Sequence, residues 1–265
     1  VCDNFNDCIN GDDEMDLLCK SNNCHGPDCS SPFNCPPIKS HRLIASCSYN
    51  SQSVLCADKI HQPGTVAKYS CKKFYEPQRN VQRNNTEASC QKNGKWSSEI
   101  LKCKAKCGYL KDTAAVPLIV NGYPVNNLFP WHATMFIKRE NQYEFACGAT
   151  LITESVVASA AHCFTGLKES DVKFAIGKRY SNITIRTDGE PDAKTFDVKR
   201  IYRHPMYLDN LGNYGQDIVL VELNEIIQLD ENIHPICIDW DGIDSVAANQ
   251  SGILVGMGVT ENDTF

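Results

Sequence analysis

His162 stands in the run SVVASAAHCF, residues 155–164, beside Cys163 and at the end of an apolar, strand-like stretch. An imidazole in that setting can act as a general base, taking a proton from a nucleophile during attack. Asp217 lies well downstream, immediately before IVLVEL, residues 218–223. That run reads as a buried strand, and a carboxylate at its edge is costly without a partner. A second chemistry is offered by VCDNFNDCINGDDEMDLLC, residues 1–19, with six acidic side chains and no basic one. Such a run is either a solvated acidic loop or a cage for a hard cation, which needs carboxylate and carbonyl oxygens converging in a tight turn.

The chain that must position these groups has 265 residues, a net charge of −6 and a pI near 5.6. Length implies one to three domains. The charge gives no electrostatic case for nucleic acid. No apolar run approaches the roughly 18 residues of a membrane helix; the chain holds no signal peptide either, which means little because Val1 is an implausible natural start. Fifteen cysteines dominate the composition, twelve of them at or before Cys107. That density reads as small stapled modules from an oxidising compartment, hence a secreted, extracellular protein. Zinc fits poorly, because no C-x-x-C pair occurs and the close histidine is His25, in CHGPDC. The sequons at Asn84, Asn182, Asn249 and Asn262 agree with secretion and glycosylation.

Three segments follow. In residues 1–19 the spacing Cys-Asp-x-x-x-Asp-Cys, followed by Asp-Asp-Glu, resembles the second half of a low-density-lipoprotein-receptor class A repeat. The resemblance implies calcium as a structural cofactor once the repeat is complete. Asp3, Asp7, Asp13 and Glu14 are its side-chain ligands, and Phe5 offers a carbonyl where the family often has Gly. It also implies a Cys2–Cys19 bridge and leaves Cys8 to pair with a cysteine upstream. Residues 20–34 are a polar connector in which Cys24 and Cys29 are close enough to bridge. Residues 35–103 alternate apolar and polar side chains between Gly and Pro turns, the pattern of short strands. A Cys before Pro, PGTVAKYSC (63–71) and CQKNGKWSSEILKC (90–103) resemble a sushi module. The family's pairing implies Cys35–Cys90 and Cys71–Cys103, with Trp96 as a core plug. Cys47 and Cys56 are extra to that pattern and are expected to pair with each other.

Beyond residues 104–118, a linker and activation segment, the chain becomes apolar and strand-rich. IVNGYPVNNLFPWHATMF (119–136), FACGATLITESVVASAAHC (145–163), RHPMY (203–207), GQDIVLVEL (215–223) and HPICI (234–238) occur in the order found in chymotrypsin-type serine proteases. The resemblance covers essentially all of 107–265. The expected fold class is therefore mostly β and multidomain: a chymotrypsin-like β-barrel protease domain, first barrel plus the start of the second, preceded by small disulfide-rich modules. By position His162 is the base and Asp217 the carboxylate that orients it. The family pattern pairs Cys147 with Cys163 and Cys107 with Cys237. The Gly-Asp-Ser-Gly-Gly context of the family's nucleophile does not occur in the chain. Ser155 and Ser159 lie too close to His162 in sequence to face it. The expectation is a chain cut at both ends and inactive by itself.

The run AVPLIVNG corresponds to the zymogen cleavage region, with the cut between Leu118 and Ile119. Most relatives carry Arg or Lys before that bond. Leu118 therefore calls for an activator with an apolar pocket, or for self-cleavage at the head of a cascade. Class A repeat, cysteine-enriched sushi module and activation after Leu together resemble the insect modular serine protease family. That resemblance implies a zymogen that starts the Toll and prophenoloxidase cascades. Its partners would be microbial-pattern recognition proteins and, as substrate, a downstream protease zymogen. Two other readings stay open: a complement-type initiator protease, and a non-catalytic scaffold of the haptoglobin kind. The sequence after Phe265 separates them, since Gly-Asp-Ser-Gly-Gly marks an enzyme and any other residue in place of that Ser marks a scaffold.

Overall fold

The computed structural model describes residues 34–57, 59–78, 86–110, 129–140, 142–177, 194–239, 252, 255 and 256. The class A half-repeat with Asp3, Asp7, Asp13 and Glu14, the Cys2–Cys19 and Cys24–Cys29 pairings, the Leu118–Ile119 bond and the asparagines 84, 182, 249 and 262 lie outside the described residues. The chain divides into two units, residues 1–104 and 105–265.

In the first unit, β1 (Leu43–Tyr49), β2 (Gln52–Val54), β3 (Val66–Cys71) and β5 (Glu87–Ser89) form a four-stranded antiparallel sheet in the order β2-β1-β3-β5. A second small sheet joins β4 (Tyr75–Pro77) to β6 (Cys103–Ala105). The β1–β2 hairpin turns on Asn50 and Ser51, with φ of 49° and 65°. Both central residues are left-handed, which matches the twist of two antiparallel strands. So small a unit has little core. Ala67, Tyr69, Ala88 and Leu101 are buried together with five half-cystines. Its bridges are Cys35–Cys90, Cys71–Cys103 and, across the inserted hairpin, Cys47–Cys56. Trp96 is half-buried, with its ring 5.4 Å from that of His61 and its indole N–H donating to Pro36 O at 3.0 Å. Its polar edge is thereby satisfied.

In the second unit, six strands close into an antiparallel barrel in the order β10-β11-β12-β9-β8-β7. They are β7 (His132–Arg139), β8 (Gln142–Leu151), β9 (Val156–Ser159), β10 (Val172–Ile176), β11 (Lys194–Arg203) and β12 (Val219–Leu223). Closure leaves no sheet edge, and every other residue points inward. On β12, Val219, Val221 and Leu223 are buried while Leu220 is exposed. Met135, Leu151, Val157, Phe164, Phe174 and Ile176 fill the interior with them, while Phe136, paired with Lys173, is buried on the opposite face of β7. At Cys107 the chain is bonded to Cys237, and the Gly108 N–H donates to Pro235 O. Gly108 has φ of +63°, and a Cβ there would meet the Cys237 sulfur at 3.0 Å, so this docking requires glycine.

Candidate active site

The register of two strands brings the candidate groups together. β12 pairs antiparallel with β9, Val219 opposite Ser159 and Val221 opposite Val157. Extending that register by two residues sets Asp217 opposite Ala161, one residue before His162. At this point the chain leaves β9 and forms a four-residue 3-10 turn, Ala161–Phe164. Ala161 and Phe164 are fully buried. Their burial turns the intervening His162 outward, and its side chain is 51% exposed. The Cys147–Cys163 bridge ties the turn to β8.

Two contacts join the pair. The His162 backbone N–H donates to Asp217 Oδ1 at 2.8 Å, and ring Nδ1 lies 2.7 Å from Asp217 Oδ2. An ionised carboxylate only accepts, so Nδ1 carries the proton and donates. The hydrogen bond from the His162 ring holds the Asp217 carboxyl below the usual carboxylate range. Burial opposes this, and the His162 and Ala161 backbone N–H groups and the His162 charge reinforce it. With Nδ1–H engaged, Nε2 presents a lone pair. It lies 3.4 Å from Cys163 Sγ, a disulfide sulfur and therefore a weak partner. The site thus offers a proton acceptor whose tautomer is set by a carboxylate. Cys147, His162 and Cys163 offer three ligand atoms within 4.8 Å of one another. The two sulfurs are bonded to each other, so neither is a thiolate and the cluster is not a metal centre.

Ser159 does not face the imidazole as a nucleophile: its hydroxyl donates to Gly148 O at 2.8 Å. Among the other described histidines, His61 and His234 contact backbone carbonyls. His132 is buried, which pushes its pKa down. Sequence reasoning assigned nothing to Arg203, Asp209 or Thr165, although Arg203 opens the quoted run RHPMY. In the fold, Arg203 reaches the carbonyls that follow His162, and Thr165 bonds Asp209. Tyr214 was also unassigned, and its ring stands edge-on to that of His162 at 6.5 Å.

Comparison with known proteins agrees with this geometry. The Trypsin family profile matches residues 119–264, and the Sushi repeat (SCR repeat) profile matches residues 35–103. The chain is 32% identical over 226 residues to the modular serine protease of Drosophila melanogaster, covering 81% of this chain and 35% of that protein. It is 27% identical over 244 residues to clotting factor C of Tachypleus tridentatus, covering 87% of this chain and 23% of that one. To mannan-binding lectin serine protease 1 of Rattus norvegicus it is 27% identical over 225 residues, covering 77% and 29%. It thus spans about a third or less of the length of each. A closed six-stranded barrel that carries His162 against Asp217, matched over residues 119–264 and preceded in sequence by a sushi repeat, places this chain in the trypsin family of serine proteases.

Proposed function

We propose that this chain supplies the base and the orienting carboxylate of a secreted serine endopeptidase zymogen, one that initiates an extracellular, innate-immune proteolytic cascade. The observation that carries the reading is the double contact of His162 with Asp217 on the barrel, which fixes the tautomer a general base needs. On this reading a serine in sequence beyond Phe265 gives its proton to His162 Nε2 as its oxygen attacks a peptide carbonyl. Asp217 stabilises the imidazolium, and the proton then passes to the leaving amine. The similarity to a modular serine protease, a clotting factor and a mannan-binding lectin serine protease supports a place among cascade proteases.

Activation by a cut between Leu118 and Ile119 belongs to the same proposal. So do docking of the N-terminal modules on microbial-pattern recognition proteins, a downstream protease zymogen as substrate, and calcium held by Asp3, Asp7, Asp13 and Glu14 in a complete class A repeat. Leu118 is the informative residue, since the side chain before the cut is what the activator's pocket reads. In the full-length zymogen, Leu118→Arg should transfer activation from the protein itself to trypsin-like enzymes. N-terminal sequencing should then find the new terminus at Ile119. Self-activation of the Leu118→Arg zymogen at the wild-type rate, with no other protease present, would overturn the place at the head of a cascade. For the calcium site, Asp13→Ala should weaken binding to the complete repeat by at least tenfold, roughly the loss of one charged ligand. Calorimetric titration measures it, and an unchanged affinity would leave the acidic run as a solvated face.

A further inference from the structure

The 3-10 turn that carries His162 is too short to hold itself. It spans four residues and has no side-chain cap at its start. The last carbonyls of such a turn need partners from elsewhere. The Leu167 N–H donates to Phe164 O at 3.1 Å, and a single stretch, residues 203–217, adds the side-chain partners. Arg203 Nη2 donates to Phe164 O at 2.8 Å and to Leu167 O at 3.0 Å. Thr165, the residue after the turn, donates its N–H to His162 O at 3.3 Å and its hydroxyl to Asp209 Oδ2 at 2.8 Å. Tyr207 lies beside this latch. Its hydroxyl is buried without a hydrogen-bond partner among the described residues; burial first, and the Asp209 charge next, push the phenol above the usual range. The same stretch ends at Asp217.

The stretch is itself in an unusual conformation. Asp209, Asn213, Tyr214 and Gln216 have φ of 54°, 50°, 54° and 59°, values that residues with a side chain adopt at a cost. Such a backbone persists only where its surroundings over-determine it. Asp209 is one of the left-handed residues, and its carboxylate makes the bond to Thr165. Water competes for the half-exposed His162–Asp217 bond, so the ring is only as well placed as the turn beneath it.

We propose that Arg203 and Asp209 are positioning residues for His162. Acting through the Phe164 and Leu167 carbonyls and the Thr165 hydroxyl, they fix the turn so that Nδ1 meets Asp217 within this one barrel, before nucleophile or substrate is present. The proposal rests on His162 as the general base. A tautomer measurement tests it without requiring activity. In the 265-residue chain labelled with 15N in its imidazoles, the shifts of the two ring nitrogens at pH 8 report the ratio of Nδ1–H to Nε2–H forms. The wild-type ring should be mainly Nδ1–H. Arg203→Met and Asp209→Ala should each lower that ratio by about threefold to tenfold, the range for one lost hydrogen bond, and Arg203→Lys should restore part of it. Thermal melting verifies that each barrel is folded, and folded variants with the wild-type ratio would overturn the proposal. If Arg203→Met does not fold, Thr165→Val decides: it deletes the hydroxyl that Asp209 holds, and an unchanged ratio there is equally fatal. A wild-type ring mainly in the Nε2–H form would contradict the base reading itself and remove the proposal with it.

Discussion

Asp217 is the residue on which most of the site converges, since it receives the His162 ring and the N–H groups of His162 and Ala161. Its pKa is lowered in the folded chain from the model-compound value of 3.8. A carboxylate whose folded pKa lies below its unfolded pKa stabilises the fold above the unfolded value. That contribution fades as pH falls through the folded one. The melting temperature of the wild-type barrel should therefore exceed that of Asp217→Asn near neutral pH. The difference should begin to narrow as the pH drops below about 4, where the unfolded carboxyl protonates, and close as the pH falls through the lower folded pKa. Parallel melting curves from pH 7 to pH 2 measure this, and a gap that persists at pH 2 would mean that the carboxylate charge is not what matters. Both His162 and Asp217 were legible in the sequence, each within a distinctive ordered run. Arg203 and Asp209 were not. Their partners Phe164 and Thr165 lie 39 and 44 residues away in the chain, and nothing local to an arginine at a strand end marks it as a clamp.

At the scale of elements, the alternation in IVLVEL announced β12 and its buried face, because a strand with one side in a core must alternate. The closeness of Asp217 to His162 was a different matter. It follows from the pairing of β9 with β12, a long-range register that one strand's sequence does not state. The local breaks were also hidden. The β7–β8 ladder shifts between Met135 and Phe136, opposite Ala146, and no Gly or Pro in β7 signals it. Phe164 couples element to site most directly, since it is fully buried, contacts the Phe174 ring at 6.5 Å between centroids and closes the turn that holds His162. Phe164→Ala should cost about 3–5 kcal/mol of barrel stability. It should also release the ring, seen as loss of the Nδ1–H preference under conditions where the barrel is still folded. Denaturant midpoints and imidazole 15N shifts measure the two effects separately. A stability loss well under 1 kcal/mol would show that the turn does not depend on its buried anchor.

At the scale of the whole molecule, covalent bonds substitute for core. In the chain-entropy account the Cys35–Cys90 loop contributes roughly 4 kcal/mol, the Cys47–Cys56 loop roughly 2.5 and the Cys107–Cys237 loop roughly 5. The cysteine count made this economy legible at once, and the division at residues 104 and 105 falls beside the module end at Cys103 read from the sequence. Cys107–Cys237 also gives the proposed activation its architecture. A cut between Leu118 and Ile119 leaves both pieces joined by that bridge, so they should separate on a reducing gel and migrate together on a non-reducing one. The proposed function makes His162, oriented by Asp217, the general base of a serine endopeptidase. The most direct test is kcat of the activated full-length protein with His162→Ala or Asp217→Asn, on a peptide substrate that the wild type cleaves. A fall in kcat of about 10⁴-fold is expected for Asp217→Asn and about 10⁶-fold for His162→Ala, with KM changed far less. Wild-type turnover in either activated variant would contradict it.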